Sequence, residues 1–223
     1  MTTGGKLIVI EGPDNVGRSM HVRLLSERLQ AHGVAVVVVG LARSELLGDL
    51  IKRSHSDLHQ LNWRTRALLY ATDLHDQYIH EVQPLMEAGF VVIADRYTTT
   101  PLIRETVRGG DAEWIQGLYR DMPEADVTVT LLAGGRRLLN RMMYNESLTK
   151  LNHYEAGADM GLSPSITHSF LAYQKLLRKA FEKRAELEGH PVVHTRGSVG
   201  EVHSEVWASV KPYVSDMLQT IRD

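Results

Sequence analysis

The sequence predicts an α/β fold in which a five-stranded parallel sheet lies between layers of helices. Segments rich in β-branched residues alternate along the 223 residues with longer segments of helical periodicity. The predicted strand at residues 34–39 is a continuous apolar run, which is typical of strands that are covered on both faces in a parallel sheet. A chain of this length, without cysteine, is long enough to bury a substantial core without disulfides.

The first half of the chain predicts a β-α-β unit followed by a third strand. Strands are predicted at residues 6–11, 34–39 and 90–94, and helices at residues 18–32, about 45–55, and 63–88. Gly33 and Gly89 each follow a predicted helix, at the position where a helix-ending glycine is common. Residues 95–97 therefore follow a buried strand, at the edge of an open α/β sheet where ligands bind.

The second half of the chain completes the predicted sheet with two further strands. These strands are predicted at residues 127–132 and 192–194, and helices at residues 100–107, 112–121, 136–143, 164–188 and 199–221. Residues 144–161 lose clear periodicity, which is typical of a long functional loop. We therefore expect one domain over residues 1–223, with a lid at about 136–161.

The charge and the apolar content of the chain argue against nucleic acid and membranes as partners. The formal net charge is -2, so the chain lacks the global basic footprint of a protein that binds duplex nucleic acid. The N-terminus has no long apolar segment, and no apolar run approaches the ~20 residues that span a bilayer. We expect a cytoplasmic protein with a small-molecule partner and no membrane partner.

One glycine-rich stretch, Gly12–Ser19, joins the first strand to the first helix. Gly12 and Gly17 allow backbone conformations that other residues avoid, and the helix N-terminus favours an anionic phosphate. Ser19 offers a hydroxyl to a magnesium ion, as in a phosphate-binding P-loop. Arg18 stands where the P-loop pattern has lysine. The alternative is a tight strand-to-helix turn that binds nothing.

Several motifs together resemble the thymidylate kinase family of nucleoside monophosphate kinases. Glu11–Ser19 is similar to the family's E-G-x-D-x-x-G-K-[ST], and Leu68–Asp73 is similar to L-L-F-A-A-D. Asp95–Tyr97, with Thr100 beyond it, is similar to D-R-Y-x-x-[ST]. His153–Ser163 looks like a Y-E-x-G-M-D-L-x-L-S segment of a divergent bacterial branch. The resemblance implies a three-layer P-loop fold and a homodimer formed through long helices such as residues 63–88.

The resemblance also implies a transfer of a phosphoryl group from ATP, with Mg²⁺, to a nucleoside monophosphate. The residues expected to act in the transfer are Arg18, Asp95, Arg96, Arg137 and Arg141. The residues expected to bind ATP are Gly12, Asn15, Val16, Gly17, Arg18, Ser19 and Met20, with Ser19 and Asp95 at the magnesium ion. The residues expected to contact the acceptor are Asp14, Arg43, Tyr70, Asp73, Leu74, Arg96, Tyr97, Thr100, Tyr154 and Glu155.

The sequence departs from the family pattern at four places in the expected site. Arg18 replaces the P-loop lysine, Val16 is apolar where glycine, alanine or arginine is frequent, and Leu74 stands where an arginine reads thymidylate. Residues 40–45 replace the usual T-R-E-P loop, although Arg43 lies among them. Three interpretations fit: a kinase with an altered acceptor, an ordinary thymidylate kinase, and a nucleotide-binding regulator that has lost catalysis.

Overall fold

The computed structural model describes residues 4–54, 61–145 and 153–218, apart from the side chains of residue 54 and residues 141–145. Its five strands are β1 (Lys6–Glu11), β2 (Val36–Gly40), β3 (Val91–Asp95), β4 (Val127–Leu132) and β5 (Val192–His194). They form one sheet in the order β2-β3-β1-β4-β5, and every neighbouring pair is parallel. The predicted α/β fold with a five-stranded parallel sheet is confirmed.

Helices connect and cover the strands. They are α1 (Arg18–Ala31), α2 (Gly48–Ser54), α3 (Trp63–Gln77), α4 (Gln83–Glu87), α5 (Thr99–Val107), α6 (Ala112–Gly117), α7 (Gly135–Asn145), α8 (Ile166–Glu188) and α9 (Val199–Val214). A π-helical segment, Tyr78–Val82, joins α3 to α4, and a short 3-10 turn lies at Ala158–Met160. In the described ranges, every helix is too short or too polar to cross a bilayer.

The continuous apolar run of β1 is explained by a core on each side of the sheet. Ile8 and Ile10 pack with residues of α1, α8 and α9, whereas Leu7 and Val9 pack with residues of α3, α5 and α6. Successive side chains of a strand point to opposite faces, so both faces of β1 must be apolar. The result is the three-layer arrangement that the sequence predicts.

Helix ends differ from the predicted ends at several places. The predicted helix 63–88 is helical from α3 to α4, but it includes the π-helical segment before it ends near Gly89. Helix α2 begins at Gly48 instead of about 45, because the chain before it is held in a loop by Asp73. Helix α6 ends at Gly117, four residues early, and α9 ends at Val214, shortly after Pro212. Of the predicted lid, residues 146–152 lie outside the described part of the chain.

Candidate active site

The loop between β1 and α1 has the backbone of a phosphate-binding loop. Gly12 has φ 139°, and a Cβ placed on it would lie 2.3 Å from the carbonyl oxygen of Leu131 in β4. Gly17 precedes α1 with φ 100°, and it has no side chain to cap the helix. The first amides of α1 are thus directed towards the loop, where an anion is favoured. The loop residue Asn15 also has a positive φ, of 58°.

Two further residues predicted to bind ATP, Val16 in this loop and Met20 just after it, differ in how exposed they are to solvent. Val16 is fully buried and packs in the core with residues of α1, so its side chain is not exposed. Met20 is 43% exposed on the first turn of α1. The backbone N–H groups of this loop, and not the side chains of Val16 and Met20, are therefore the groups that suit a phosphate.

Arg18 binds the loop itself. Its Nη1 donates hydrogen bonds to the carbonyl oxygens of Gly12, at 2.8 Å, and of Pro13, while its Nε donates to Oδ1 of Asp95 at 3.0 Å. The residue is 8% exposed. Since a lysine ammonium is a compact point charge, it could not make this planar set of contacts to three groups. The arginine therefore braces the loop and connects it to the end of β3.

Asp95 at the end of β3 collects side chains from three elements. Its Oδ1 accepts from Arg18, and its Oδ2 accepts from the Ser19 hydroxyl at 2.8 Å and from Nη2 of Arg43 at 3.1 Å. Burial would raise the pKa of Asp95, but Arg18 and the Ser19 hydroxyl outweigh it and hold the pKa below its ordinary value. Asp95 is therefore a carboxylate at neutral pH.

Ser19 and Asp95 have the chemistry that a magnesium ion requires. Mg²⁺ prefers oxygen ligands and is usually held by one or two carboxylates together with substrate phosphates. In the part of the chain that the structure describes, no cluster of three or more His, Asp or Glu residues could hold a metal by itself. A hydroxyl and a carboxylate 2.8 Å apart, beside a cavity of about 350 Å³, fit a metal that is shared with a nucleotide.

Asp14 at the tip of the loop is paired with two arginines. Its Oδ1 accepts from Nη2 of Arg96, which follows β3, and its Oδ2 accepts from Nη2 of Arg104 of α5 at 2.5 Å. Burial would raise the pKa of Asp14, but Arg104 and Arg96 hold it well below its ordinary value. The loop is thereby joined to α5 through a charged group that remains ionised at neutral pH.

Arg96 is held in an uncommon backbone conformation. Its φ is 74°, in a region that residues with a Cβ rarely adopt, and its Nη1 contacts the carbonyl oxygen of Gly12 and the hydroxyl of Thr100, both at 3.4 Å. Burial and the neighbouring cations Arg104 and Arg18 lower the pKa of Arg96 to about 10. Strained backbone of this kind is frequent at functional sites.

Glu11, the last residue of β1, fixes the chain that follows Arg96. Its Oε1 accepts from the backbone amides of Tyr97, at 2.8 Å, and Thr100, at 3.2 Å, and its Oε2 accepts from the Thr100 hydroxyl. Burial raises the pKa of Glu11, and the hydrogen bonds from Thr100 and Tyr97 offset this only in part. Thr100 is fully buried and acts here as a partner of Glu11.

A cavity of about 120 Å³ lies between the loop, α3, α5 and the segment after α7. It is lined by Asp14, Leu41, Ala42, Tyr70, Arg96, Arg104, Tyr154 and Glu155. Five of these eight residues were predicted from the sequence to contact the acceptor, and they come from distant parts of the chain. The lining combines two guanidinium groups, two carboxylates and two tyrosines, so it offers cations that can bind an anionic group and rings that can pack on an aromatic one.

The sequence analysis missed a group of arginines around this cavity. The ring of Tyr154 lies 3.8 Å from the guanidinium carbon of Arg108, 5.4 Å from that of Arg104 and 5.1 Å from that of Arg66. The Tyr154 hydroxyl donates to Oε1 of Glu105, whose Oε2 accepts from Arg66 at 2.9 Å. Arg104 and Arg108 stand four residues apart and so share one helix face, a spacing that could have drawn attention to them.

Several predicted acceptor residues have other partners. Asp73 accepts from the backbone amides of Ala42 and Ser44, at 2.7 and 3.0 Å, and so holds the loop after β2. Leu74 is buried in the apolar core between α3 and the sheet. The phenol of Tyr97 donates to the carbonyl oxygen of Pro123 and faces a separate cavity of about 490 Å³.

Of the two predicted lid arginines, Arg137 is not among the residues that meet at Asp14 and Asp95. Arg137 of α7 donates to the carbonyl oxygens of Arg196, at 2.6 Å, and Gly197, at 3.3 Å, in the loop after β5. The side chain of Arg141 lies outside the described part of the structure. Arg43, by contrast, reaches Asp95 from the loop after β2.

Three known proteins that this chain resembles carry the name of the same family. The family described as "Thymidylate kinase" matches residues 10–158. "Probable thymidylate kinase 2" of Saccharolobus solfataricus is 30% identical over 186 residues, which are 83% of this chain and 85% of that protein. "Probable thymidylate kinase" of Pyrococcus horikoshii is 27% identical over 212 residues, 93% of this chain and 96% of that protein. A protein of the same name from Pyrobaculum aerophilum is 24% identical, with 93% and 97% covered.

These relatives are archaeal, so they give no support to the bacterial branch that the segment 153–163 suggested. The match of the family covers more than half of the chain and includes the glycine-rich loop, Asp95, Arg96 and Tyr154. The relative from Saccharolobus aligns with most of the chain at 30% identity. The chain therefore belongs to the thymidylate kinase family.

Proposed function

We propose that the protein transfers the γ-phosphoryl group of ATP to a nucleoside monophosphate, and that thymidylate is its acceptor. The observation that carries the proposal is the position of Asp14, where the glycine-rich loop meets a cavity lined by Arg96 and Arg104. A donor phosphate on the loop and an acceptor phosphate in the cavity would lie side by side. The names of the relatives support thymidylate as the acceptor.

On the donor side, backbone amides of Gly12–Ser19 bind the phosphates of ATP, and Ser19 and Asp95 hold Mg²⁺. The ion, when bound, neutralises charge on the phosphates. Arg18 keeps the loop and Asp95 together through its contacts to Gly12, Pro13 and Asp95. Arg43, which reaches the same carboxylate, adds positive charge beside the donor site.

On the acceptor side, Arg96 binds the phosphate, and Tyr70 and Tyr154 form apolar walls for the base. Alignment of the two substrates supplies much of the rate in such reactions, because little covalent chemistry is required of the protein. The lid at 136–161, with Arg137 and Arg141, excludes water as it covers the substrates. We assign these roles within one kinase domain over residues 1–223, and the cytoplasmic location expected from the sequence remains a prediction.

A panel of acceptors tests the proposal. Purified protein is incubated with ATP, Mg²⁺ and each of the common ribo- and deoxyribonucleoside monophosphates, and the diphosphates formed are separated by chromatography. We expect thymidylate to be converted with the highest kcat/KM. Conversion of another monophosphate in preference to thymidylate would support a kinase with an altered acceptor. The observation that favours this alternative is the burial of Leu74 in the core.

A second candidate function is nucleotide binding without catalysis. The contacts of Arg18 favour it, because this guanidinium binds Asp95 and two loop carbonyls, whereas the P-loop lysine it replaces reaches the β- and γ-phosphates. Calorimetric binding of ATP with Mg²⁺, combined with no turnover of any monophosphate in the panel, would support this function and contradict the kinase.

We also propose that the protein is a homodimer that associates through α3 and the π-helical segment after it. Leu68 of α3 is 46% exposed and Ile79 is 57% exposed, although both are large apolar residues. Packing of these side chains against a second copy would remove apolar surface from water. The resemblance to thymidylate kinases, rather than this exposure alone, is the reason for choosing a second copy of the chain as the partner.

A further inference from the structure

Arg104 stands apart from the other arginines of the missed group, because it binds Asp14. Its side chain is 6% exposed, and its Nη2 lies 2.5 Å from Oδ2 of Asp14. Arg108, the residue that follows α5, binds Asp159 and the carbonyl oxygen of Tyr154 instead. Arg104 is thus the arginine of α5 that faces the glycine-rich loop.

Arg96 and Arg104 share one carboxylate. Each guanidinium has five N–H donors and carries a positive charge, whereas Asp14 offers two oxygens and a single negative charge. Burial would lower the pKa of Arg104, but Asp14 and nearby tyrosines raise it well above its ordinary value, so this guanidinium remains charged. Two like charges are therefore held together at one wall of the cavity by one group of opposite charge.

We propose that Arg104 binds the phosphate of the acceptor nucleotide together with Arg96. The inference rests on the proposed function, since it requires a monophosphate in the cavity. A phosphate monoester carries up to two negative charges and three free oxygens, and planar guanidinium groups bind such oxygens in pairs. It would compensate the two arginines more fully than Asp14 does, and Asp14 would give up its contact to Arg104 when the phosphate binds.

Two other charged residues near Arg104, Arg66 and Glu155, are less suited than Arg104 to bind the phosphate. Arg66 binds Glu105 and the carbonyl oxygen of Leu61, so its guanidinium is already paired with other groups. Glu155 also lines the cavity, and its carboxylate would repel a phosphate near it. The phosphate is therefore expected at the wall formed by Arg96 and Arg104, with the nucleoside extending towards the rest of the cavity.

A binding cycle tests the role of Arg104 without requiring turnover. The wild-type protein, R104Q, R104K and R96Q are titrated by calorimetry with thymidine 5′-monophosphate and with thymidine, which lacks the phosphate. We expect R104Q to weaken binding of the monophosphate by about 10- to 100-fold, the range for a lost hydrogen bond to a charged group. Binding of thymidine should change less than about 2-fold. R104K keeps the charge but loses the fork, so its loss should be smaller, and R96Q should resemble R104Q.

The matched control is R120Q, in which an exposed arginine between α6 and β4 is changed in the same way. It should bind both ligands like the wild type. Equal weakening of thymidine and its monophosphate by R104Q would overturn the assignment, because it would show loss of the nucleoside pocket. If R104Q does not fold, as judged by circular dichroism, the same comparison with R104K decides.

The outcomes separate this inference from the proposed function. If the wild type phosphorylates thymidylate but R104Q loses no selectivity for the phosphate, the inference fails and the proposed function stands. If the wild-type protein does not bind the monophosphate, the proposed function fails, and the assignment of Arg104 is overturned with it.

Discussion

At the scale of single residues, the sequence motifs predicted which residues of the glycine-rich loop and of the end of β3 lie together. Asp14, Arg96, Tyr70, Tyr154 and Glu155 were chosen from short motifs that lie far apart in the chain, and they line one cavity. Asp14 and Arg96 each follow a strand, and their proximity was predictable because strand ends meet at one edge of a parallel sheet. Whether these residues bind substrate remains a prediction.

Other residues could not be placed from the sequence. Tyr70 and Leu74 stand one turn apart on the same side of α3, yet Tyr70 lines the cavity and Leu74 packs in the apolar core, a difference that helical periodicity does not predict. Arg104 lies outside the sequence motifs that resemble those of the family, and its contact to Asp14 spans 90 residues of chain. A contact of such range is set by packing and leaves no local pattern.

Substitution of Asp14 by asparagine should lower stability in a pH-dependent way. The pKa of Asp14 is lowered in the folded protein, so its stabilising contribution is complete above its unfolded value of about 4 and is lost as the pH falls below it. At pH 7, D14N should reduce the free energy of unfolding by about 3 kcal/mol, since it breaks a buried ion pair. Urea denaturation at pH 7 and pH 3 measures both effects.

The difference between D14N and the wild type should narrow at pH 3. The control is D49N, because the side chain of Asp49 is 90% exposed and its removal should cost little at either pH. A difference between D14N and the wild type that is as large at pH 3 as at pH 7 would contradict the lowered pKa of Asp14.

At the scale of elements, strands were predicted more accurately than helix ends. The bounds of β4 and β5 agree with the predicted strands, because each is a short segment rich in β-branched residues between segments of helical periodicity. Helix α2 began later than predicted because Asp73 binds the amides of Ala42 and Ser44 from a different helix. A start signal that comes from a distant side chain is invisible to periodicity.

The backbone conformation of the glycine-rich loop can be tested by the substitution G12A, which adds one methyl group. In G12A the added Cβ would lie 2.3 Å from the carbonyl oxygen of Leu131, in a backbone with φ 139°. Overlap with the backbone and strain together should reduce the free energy of unfolding by about 3 kcal/mol or more. Thermal and urea denaturation measure this loss, and calorimetry with ATP measures the expected loss of nucleotide binding.

The control for G12A is G117A, on the last turn of α6. A Cβ at Gly117 would meet no atom within 4 Å, and alanine favours a helix over glycine by about 1 kcal/mol. G117A should therefore match or slightly exceed the wild type in stability and in ATP binding. A G12A protein that is as stable as G117A and still binds ATP would show that the loop does not have this backbone.

At the scale of the whole molecule, the fold class followed from the sequence but the strand order did not. The alternation of strands and helices predicts a parallel sheet, whereas the order β2-β3-β1-β4-β5 depends on which strands pair across the sheet. That order matters for function, because it places β1 between β3 and β4 and so brings the glycine-rich loop beside Asp95.

The proposed homodimer is tested by mass in solution. Sedimentation equilibrium should give twice the chain mass of 25.0 kDa for the wild type and the mass of one chain for the double variant L68E and I79E. Two carboxylates would be buried without partners in the dimer, which is unfavourable. L187E is the control, because Leu187 is 72% exposed on α8. A wild-type mass of one chain would contradict the dimer.

The most direct test of the whole account is transfer of a radiolabelled γ-phosphate from ATP to thymidylate, followed by thin-layer chromatography. The wild type and R120Q should both form labelled thymidine diphosphate, and R96Q should be slower by at least about 100-fold, because it lacks a guanidinium at the acceptor phosphate. Absence of labelled diphosphate with the wild type, or equal rates for the wild type and R96Q, would contradict the account.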